Sequence, residues 1–150
     1  MGIHQRKIQM KKIFLDTNIG IDLLTNRSPW VVPTSEIMSL ANENKILTFC
    51  STLSLATINY YMLREKLARD LIITKLGNFI SLCFPISVDV NVAKSALKSP
   101  FKDFEDAMQY FSALSEGCDV IITRNKKDFA ESKIQVLEPQ EFLDSFYEED

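Results

Sequence analysis

Residues 103–124 read DFEDAMQYFSALSEGCDVIITR, and the way this run breaks in two decides the fold. Its first half opens on Asp103, which suits a helix N-cap. Asp106 stands at the third helical position, close to a capping box, and both acids favour the positive end of a helix dipole. The helix spans KDFEDAMQYFSALSEG and closes on Gly117. DVIITR (119–124) is then an apolar run that reads as a buried strand. A helix leading straight into such a strand is one unit of a wound α/β sheet.

Working outward, the same alternation covers the chain. KKIFLD (11–16) reads as a buried strand, followed by a short helix over Asn18 to Thr25 with Ile19, Leu23 and Leu24 inward. Asn26 to Pro33 reads as a loop. A second helix is expected from Thr34, capped by Thr34 or Ser35, with Ile37, Leu40 and Ala41 at helical spacing and an end at Asn42 to Lys45. ILTFCS (46–51) is the second strand. Residues 52–82 hold no proline and one glycine, Gly77, and read as two helices or one bent helix. CFPISV (83–88) is the third strand, DVNVAKSAL a helix capped by Asp89, IQVL (134–137) the fifth strand, and a last helix follows Pro139. Strands separated by helices pair in parallel through right-handed crossovers and bury both faces. The expected fold is a three-layer α/β/α sandwich with a mainly parallel sheet of about five strands.

Composition bounds the rest. With 150 residues, 46% hydrophobic and 25% charged, the chain has the make-up of one globular domain. The polar residues 1–9, MGIHQRKIQ, precede Met10-Lys11-Lys12, which itself resembles a start, so they are set aside as a loose extension of a single domain over 10–150. No apolar run approaches a bilayer span. Cys50, Cys83 and Cys118 are scattered and read as buried small hydrophobes, which fits a reducing cytoplasm. The net charge of −3 means that any binding to nucleic acid must use a local patch. Candidates are His4, Arg6, Lys7, Lys11 and Lys12 near the start, and Arg124, Lys126 and Lys127 near the end.

In such sheets the functional crevice lies outside the carboxyl ends of the strands, where the winding direction reverses. Asp16, Thr17 and Asn18 follow the first strand there, and Thr123, Arg124 and Asn125 the fourth, with Asp128 a turn further. Asp103, Glu105 and Asp106 open the helix before that strand. An acid in any one of these places serves ordinarily as a turn or cap; Asp22 and Asp119 are expected to be surface or turn residues. Acids gathered in one crevice repel one another unless a cation sits between them, and the simplest occupant is a hard divalent ion.

Three blocks, IFLDTN, STLSLATINYYML and DFEDAMQYFSALSEGCDVIITRNKKDF, resemble the PIN-domain family, and in particular its small single-domain members similar to VapC-type toxins. The likeness covers roughly residues 10 to 140, and the last block carries most of it. It implies a Mg²⁺- or Mn²⁺-dependent endoribonuclease, a homodimer, and a small cognate antitoxin as partner. Residue by residue, Asp16 matches the family's first acid, Asp106 the acid of the late helix, and Thr123 the hydroxyl after the fourth strand. Two expected carboxylates are amides: Asn59 on the helix after the second strand, and Asn125 after the Thr-Arg pair. Asp103, Glu105 or Asp128 would make up the difference, metal binding is expected to be weak, and Asn59→Glu is expected to tighten it. Arg124, Lys126 and Lys127 would hold the RNA backbone. Tyr60, Tyr61, Met62 and Phe79 are expected to contribute to an interface.

Two rivals follow from the same residues. A PIN-like module that binds nucleic acid or protein without cutting is one. A haloacid-dehalogenase-like phosphatase is the other, and it needs a second aspartate where Asn18 stands. His4, the only histidine, lies in the N-terminal extension, which disfavours a histidine-based mechanism.

Overall fold

The structure, a computed structural model, describes residues 10–149. The N-terminal extension, with His4, Arg6 and Lys7, lies outside the described residues. Five strands form one sheet: β1 (Lys12–Leu15), β2 (Leu47–Ser51), β3 (Cys83–Ile86), β4 (Val120–Ile122) and β5 (Gln135–Leu137). All pair in parallel in the order β3-β2-β1-β4-β5.

Alternation along the strands produces the layers, because successive side chains leave a strand on opposite faces. Ile13 and Leu15 of β1, Cys50 of β2, and Val120 and Ile122 of β4 enter one apolar cluster. Phe14, Phe49 and Ile121 enter the other. The first face is covered by α1 (Thr17–Leu24), α2 (Val31–Asn42), α3 (Thr52–Arg64), α4 (Arg69–Leu82) and α7 (Pro139–Glu148), which supply Ile19, Ile37, Ile58, Phe79 and Phe142 in that order. The second face is covered by α6 (Phe104–Glu116) through Tyr110 and Ala113, with α5 (Val90–Leu97) packed against α6. The expected α/β/α sandwich is the observed fold.

Local chemistry sets the helix ends. The Asp89 carboxylate accepts the Val92 N–H at 3.0 Å, and that of Asp103 accepts the Asp106 N–H at 2.9 Å. Gly117 ends α6 in the left-handed region at φ 74°, where a side chain would be strained. Pro139 takes the first position of α7. Residues 52–82 form two helices, parted after Arg64 by a turn with Lys66 at φ 60°.

Three expectations change. The second helix starts at Val31 instead of Thr34, because Pro33 fits a first helical turn, where its missing N–H is no loss. Thr34 is therefore not a cap: it is buried, and its hydroxyl has no partner among the described residues. Met62 and Phe79, expected at an interface, are 0% and 3% exposed and belong to the core. Tyr60 does lie on the surface, at 57% exposure, and Tyr61 packs half-buried against the core.

One glycine is fixed by packing. A Cβ on Gly20 of α1 would clash with the Cδ1 of Ile58 and stand 3.3 Å from its Cγ1. Ile58 is fully buried on α3, so it has little room to give. Overpacking of this kind costs about 1–3 kcal/mol, against a helix-propensity gain of at most about 1 kcal/mol. Gly20→Ala is expected to lower stability by about 1 kcal/mol in denaturant unfolding; a gain would show that the two helices part easily.

Candidate active site

The sheet changes direction between β1 and β4. Winding runs outward from β1 through β2 to β3, then returns to β4 on the other side of β1. Leu15 pairs with Ile122, and the Asp16 N–H donates to the Ile122 carbonyl at 3.0 Å. The next step of the register sets Asp16 beside Thr123, at the carboxyl edge where crevices form in this class of sheet.

Asp16 is 7% exposed and held on every side. Its Oδ1 accepts the Thr17 N–H at 2.8 Å, so it does cap α1, and also accepts from Gln109 Nε2 at 3.3 Å. Its Oδ2 accepts from Thr123 Oγ1 at 2.8 Å. Burial raises its pKa, and the hydrogen bonds from Thr123, Thr17 and Gln109 pull it back. Gln109 Nε2 reaches Thr17 Oγ1 at 2.9 Å and Ser54 Oγ at 2.7 Å, while its Oε1 accepts from Ser51. Thr17 and Ser54 share a further hydrogen bond at 2.7 Å. The end of β1 and the starts of α1 and α3 are thus tied to α6, and the carboxylate keeps one orientation. Gln109 and the two serines join the hydrogen bonds around Asp16, which the sequence reading missed. Gln109 stands three positions after Asp106, on the same helical face, and that spacing was the available signal.

Asp106 is half-buried one turn before Gln109, and its carboxyl is pushed up to about 7. Burial is the largest cause, followed by the charges of Asp16, Asp103, Asp128 and Glu105. Glu105 is raised for the same reasons, burial first and then Asp103 and Asp16. The acids of the two strand ends and of the α6 N-terminus therefore share one field. A cleft of about 300 Å³ is lined by Asp103, Asp106, Asp128, Glu131, Lys102 and Lys127; Asp16, buried at the end of β1, is not in its lining.

Asp106 has a measurable consequence. A carboxyl whose folded pKa lies above its unfolded value binds more protons in the folded state between the two values, so the folded protein loses stability as pH rises through that window. For Asp106 the window runs from 3.8 to about 7. The metal-free protein is expected to melt at a lower temperature at pH 8 than at pH 5. Asp106→Asn should reduce that fall, and a divalent cation should raise the melting temperature more at pH 8 than at pH 5. Thermal melts with and without Mn²⁺ check this, and an unchanged pH slope in Asp106→Asn would rule out the clustered charge.

The oxygen donors suit a hard divalent cation. Among the described residues no cluster of three metal-binding side chains is close enough to enclose an ion. That arrangement still suits Mg²⁺, which keeps several waters and needs only one or two carboxylates. Asp16 Oδ2 has one donor and retains an acceptor site.

Other expected residues fall differently. Asn125 is exposed and its N–H donates to Thr123 Oγ1 at 3.1 Å, which holds the loop after β4. Asn59 joins none of the hydrogen bonds around Asp16. Ser54 is the α3 residue that does, and Asn59 lies five positions on, about 140° around a helix of 3.6 residues per turn. Arg124 does not reach outward: its Nε and Nη2 donate to Asp22 at 2.6 and 3.2 Å, and its guanidinium lies 4.3 Å from the centre of the Trp30 ring. Asp22, expected on the surface, is 0% exposed. Lys126 pairs with Glu141 at 3.0 Å. Lys127 remains directed to the acidic cleft, joined by Lys102, which the sequence reading passed over. Asp119 is exposed and accepts the Lys12 N–H at 2.9 Å, in keeping with a turn residue.

A family model described as PIN domain matches residues 12–127, and the chain belongs to that family. It is 31% identical over 143 residues to Ribonuclease VapC1 of Aquifex aeolicus (strain VF5), covering 89% of this chain and 94% of that protein. Among solved structures, the fold is similar to a chain of VapBC2 from Rickettsia felis bound to a promoter DNA fragment, with TM-score 0.62, 17% identity, and coverage of 85% and 98% of the two chains. A toxin-antitoxin complex from Klebsiella pneumoniae gives TM-score 0.62 and 22% identity, with coverage of 85% and 97%. No helix among the described residues is long and apolar enough to cross a membrane.

Proposed function

We infer that the protein is a metal-dependent endoribonuclease, the toxin member of a toxin-antitoxin pair, and that it hydrolyses RNA phosphodiester bonds in the crevice between β1 and β4. The observation that carries this is the cleft lined by Asp103, Asp106 and Asp128 near the sheet edge where the buried Asp16 carboxylate is anchored by Thr17, Gln109 and Thr123. Asp16 and Asp106 would hold Mg²⁺ or Mn²⁺, with Asp103 and Asp128 adding negative charge nearby; once bound there, the ion would supply Lewis-acid stabilisation of charge on the phosphate. Thr123, Thr17 and Gln109 keep Asp16 fixed, so no reorganisation is needed when substrate enters. Lys127 and Lys102 meet neighbouring phosphates from the cleft wall. Incubation with a short single-stranded RNA is expected to give fragments with Mn²⁺ and none with excess chelator. Binding without cutting at any metal concentration would favour a non-catalytic module.

The antitoxin and the homodimer belong to the same proposal. Tyr60 and Leu63 on α3 and Ile73 and Ile80 on α4 are exposed apolar residues, suited to pairing with a second copy. Light scattering is expected to give twice the chain mass of 17.2 kDa; a species at the single mass would remove the homodimer.

A further inference from the structure

Trp30, at the turn into α2, is the only tryptophan of the chain. Large apolar side chains at such turns usually pack inward, yet Trp30 is 39% exposed. It is also held in place. The Arg124 guanidinium lies 4.3 Å from its ring centre, and the buried Asp22 grips that guanidinium through two hydrogen bonds. Arg124 directly follows Thr123, whose hydroxyl binds Asp16. Beside the indole a cleft of about 320 Å³ is lined by Trp30, Pro33, Arg124, Glu138, Pro139 and Gln140. An aromatic ring in contact with an arginine, partly exposed, and linked to the Thr123–Asp16 edge through that arginine has the features of a stacking platform.

We propose that Trp30, backed by Arg124, stacks a base of the RNA strand next to the scissile phosphate, making it a substrate-positioning residue of this nuclease. Base stacking on an aromatic side chain tolerates sequence and contributes about 1–3 kcal/mol per base. The planar guanidinium stiffens the ring by cation–π contact, so little freedom is lost when a base arrives. Asp22 acts through Arg124, and its buried carboxylate explains why that arginine faces the indole instead of the phosphate backbone.

The proposal rests on the reading of the crevice as an RNA-cleaving site, and the test separates the two. Metal-free protein is titrated with a short single-stranded RNA of mixed sequence, with tryptophan emission followed in one series and the anisotropy of a dye-labelled RNA in another. The expected result is quenching with the same midpoint as the anisotropy rise. In Mn²⁺-dependent cleavage assays, Trp30→Ala should raise KM on the order of tenfold with kcat little changed, and Trp30→Phe should recover most of the loss. Binding with unchanged emission, or cleavage by Trp30→Ala at the wild-type KM, overturns the platform and leaves the nuclease reading intact. No binding together with no cleavage under Mn²⁺ overturns both.

Discussion

Asp16→Asn is expected to lower RNA cleavage on the order of a thousandfold, the several kcal/mol that Lewis-acid stabilisation contributes to a phosphate displacement. The substitution keeps the volume and the Oδ1 acceptor of the Thr17 N–H, so the cap on α1 persists. It places an amide where Oδ2 accepts the Thr123 hydroxyl and removes one negative charge from the crevice. Circular dichroism should match the wild type while single-turnover cleavage collapses. A variant that cuts at the wild-type rate would remove Asp16 from the chemistry and leave it only a cap.

The second large effect lies away from the crevice. Asp22→Ala is expected to destabilise the protein by about 3 kcal/mol, near the low end for breaking a buried ion pair because Arg124 keeps some contact with water. Asp22 has 0% and Arg124 23% side-chain exposure, and Arg27 adds a weaker contact at 3.9 Å. Burial pushes the Asp22 carboxyl up, and the hydrogen bond and charge of Arg124 pull it down. Removing the acid leaves the guanidinium with its indole contact alone and frees the loop after β4. A fall in melting temperature of roughly 10 °C is the corresponding signal for a domain of this size. A loss under about 1 kcal/mol would place the pair among ordinary surface bridges.

Asp22 also shows what a sequence conceals. An acid inside an amphipathic helix reads as a solvated residue, and its partner stands 102 positions away. The same separation hid Gln109, whose amide acts on Asp16 across 93 positions. Features written into neighbouring residues were legible: the caps at Asp89 and Asp103, the closing Gly117, the opening Pro139, and the apolar runs of β1 and β4 that marked buried strands. The start of α2 was misread because Pro33 fits a first helical turn as readily as a loop. Counting along a motif fixes sequence position, whereas facing the crevice depends on azimuth about α3, and Ser54 is the α3 residue bonded into the network around Asp16. Asp16 and Asp106 were legible because strand ends and helix starts meet at one edge in a parallel sheet; Arg124 was named there too, but its contacts turn it toward Trp30.

The central claim is that the acids at the β1–β4 switch point hold a divalent cation. Anomalous diffraction from crystals soaked in Mn²⁺ at pH 8, where the Asp106 carboxyl at about 7 is mostly ionised, tests it directly. The expected result is one strong peak in the cleft with Asp16 and Asp106 oxygens in its coordination shell and waters completing it. A peak elsewhere on the molecule with the cleft empty would contradict the account.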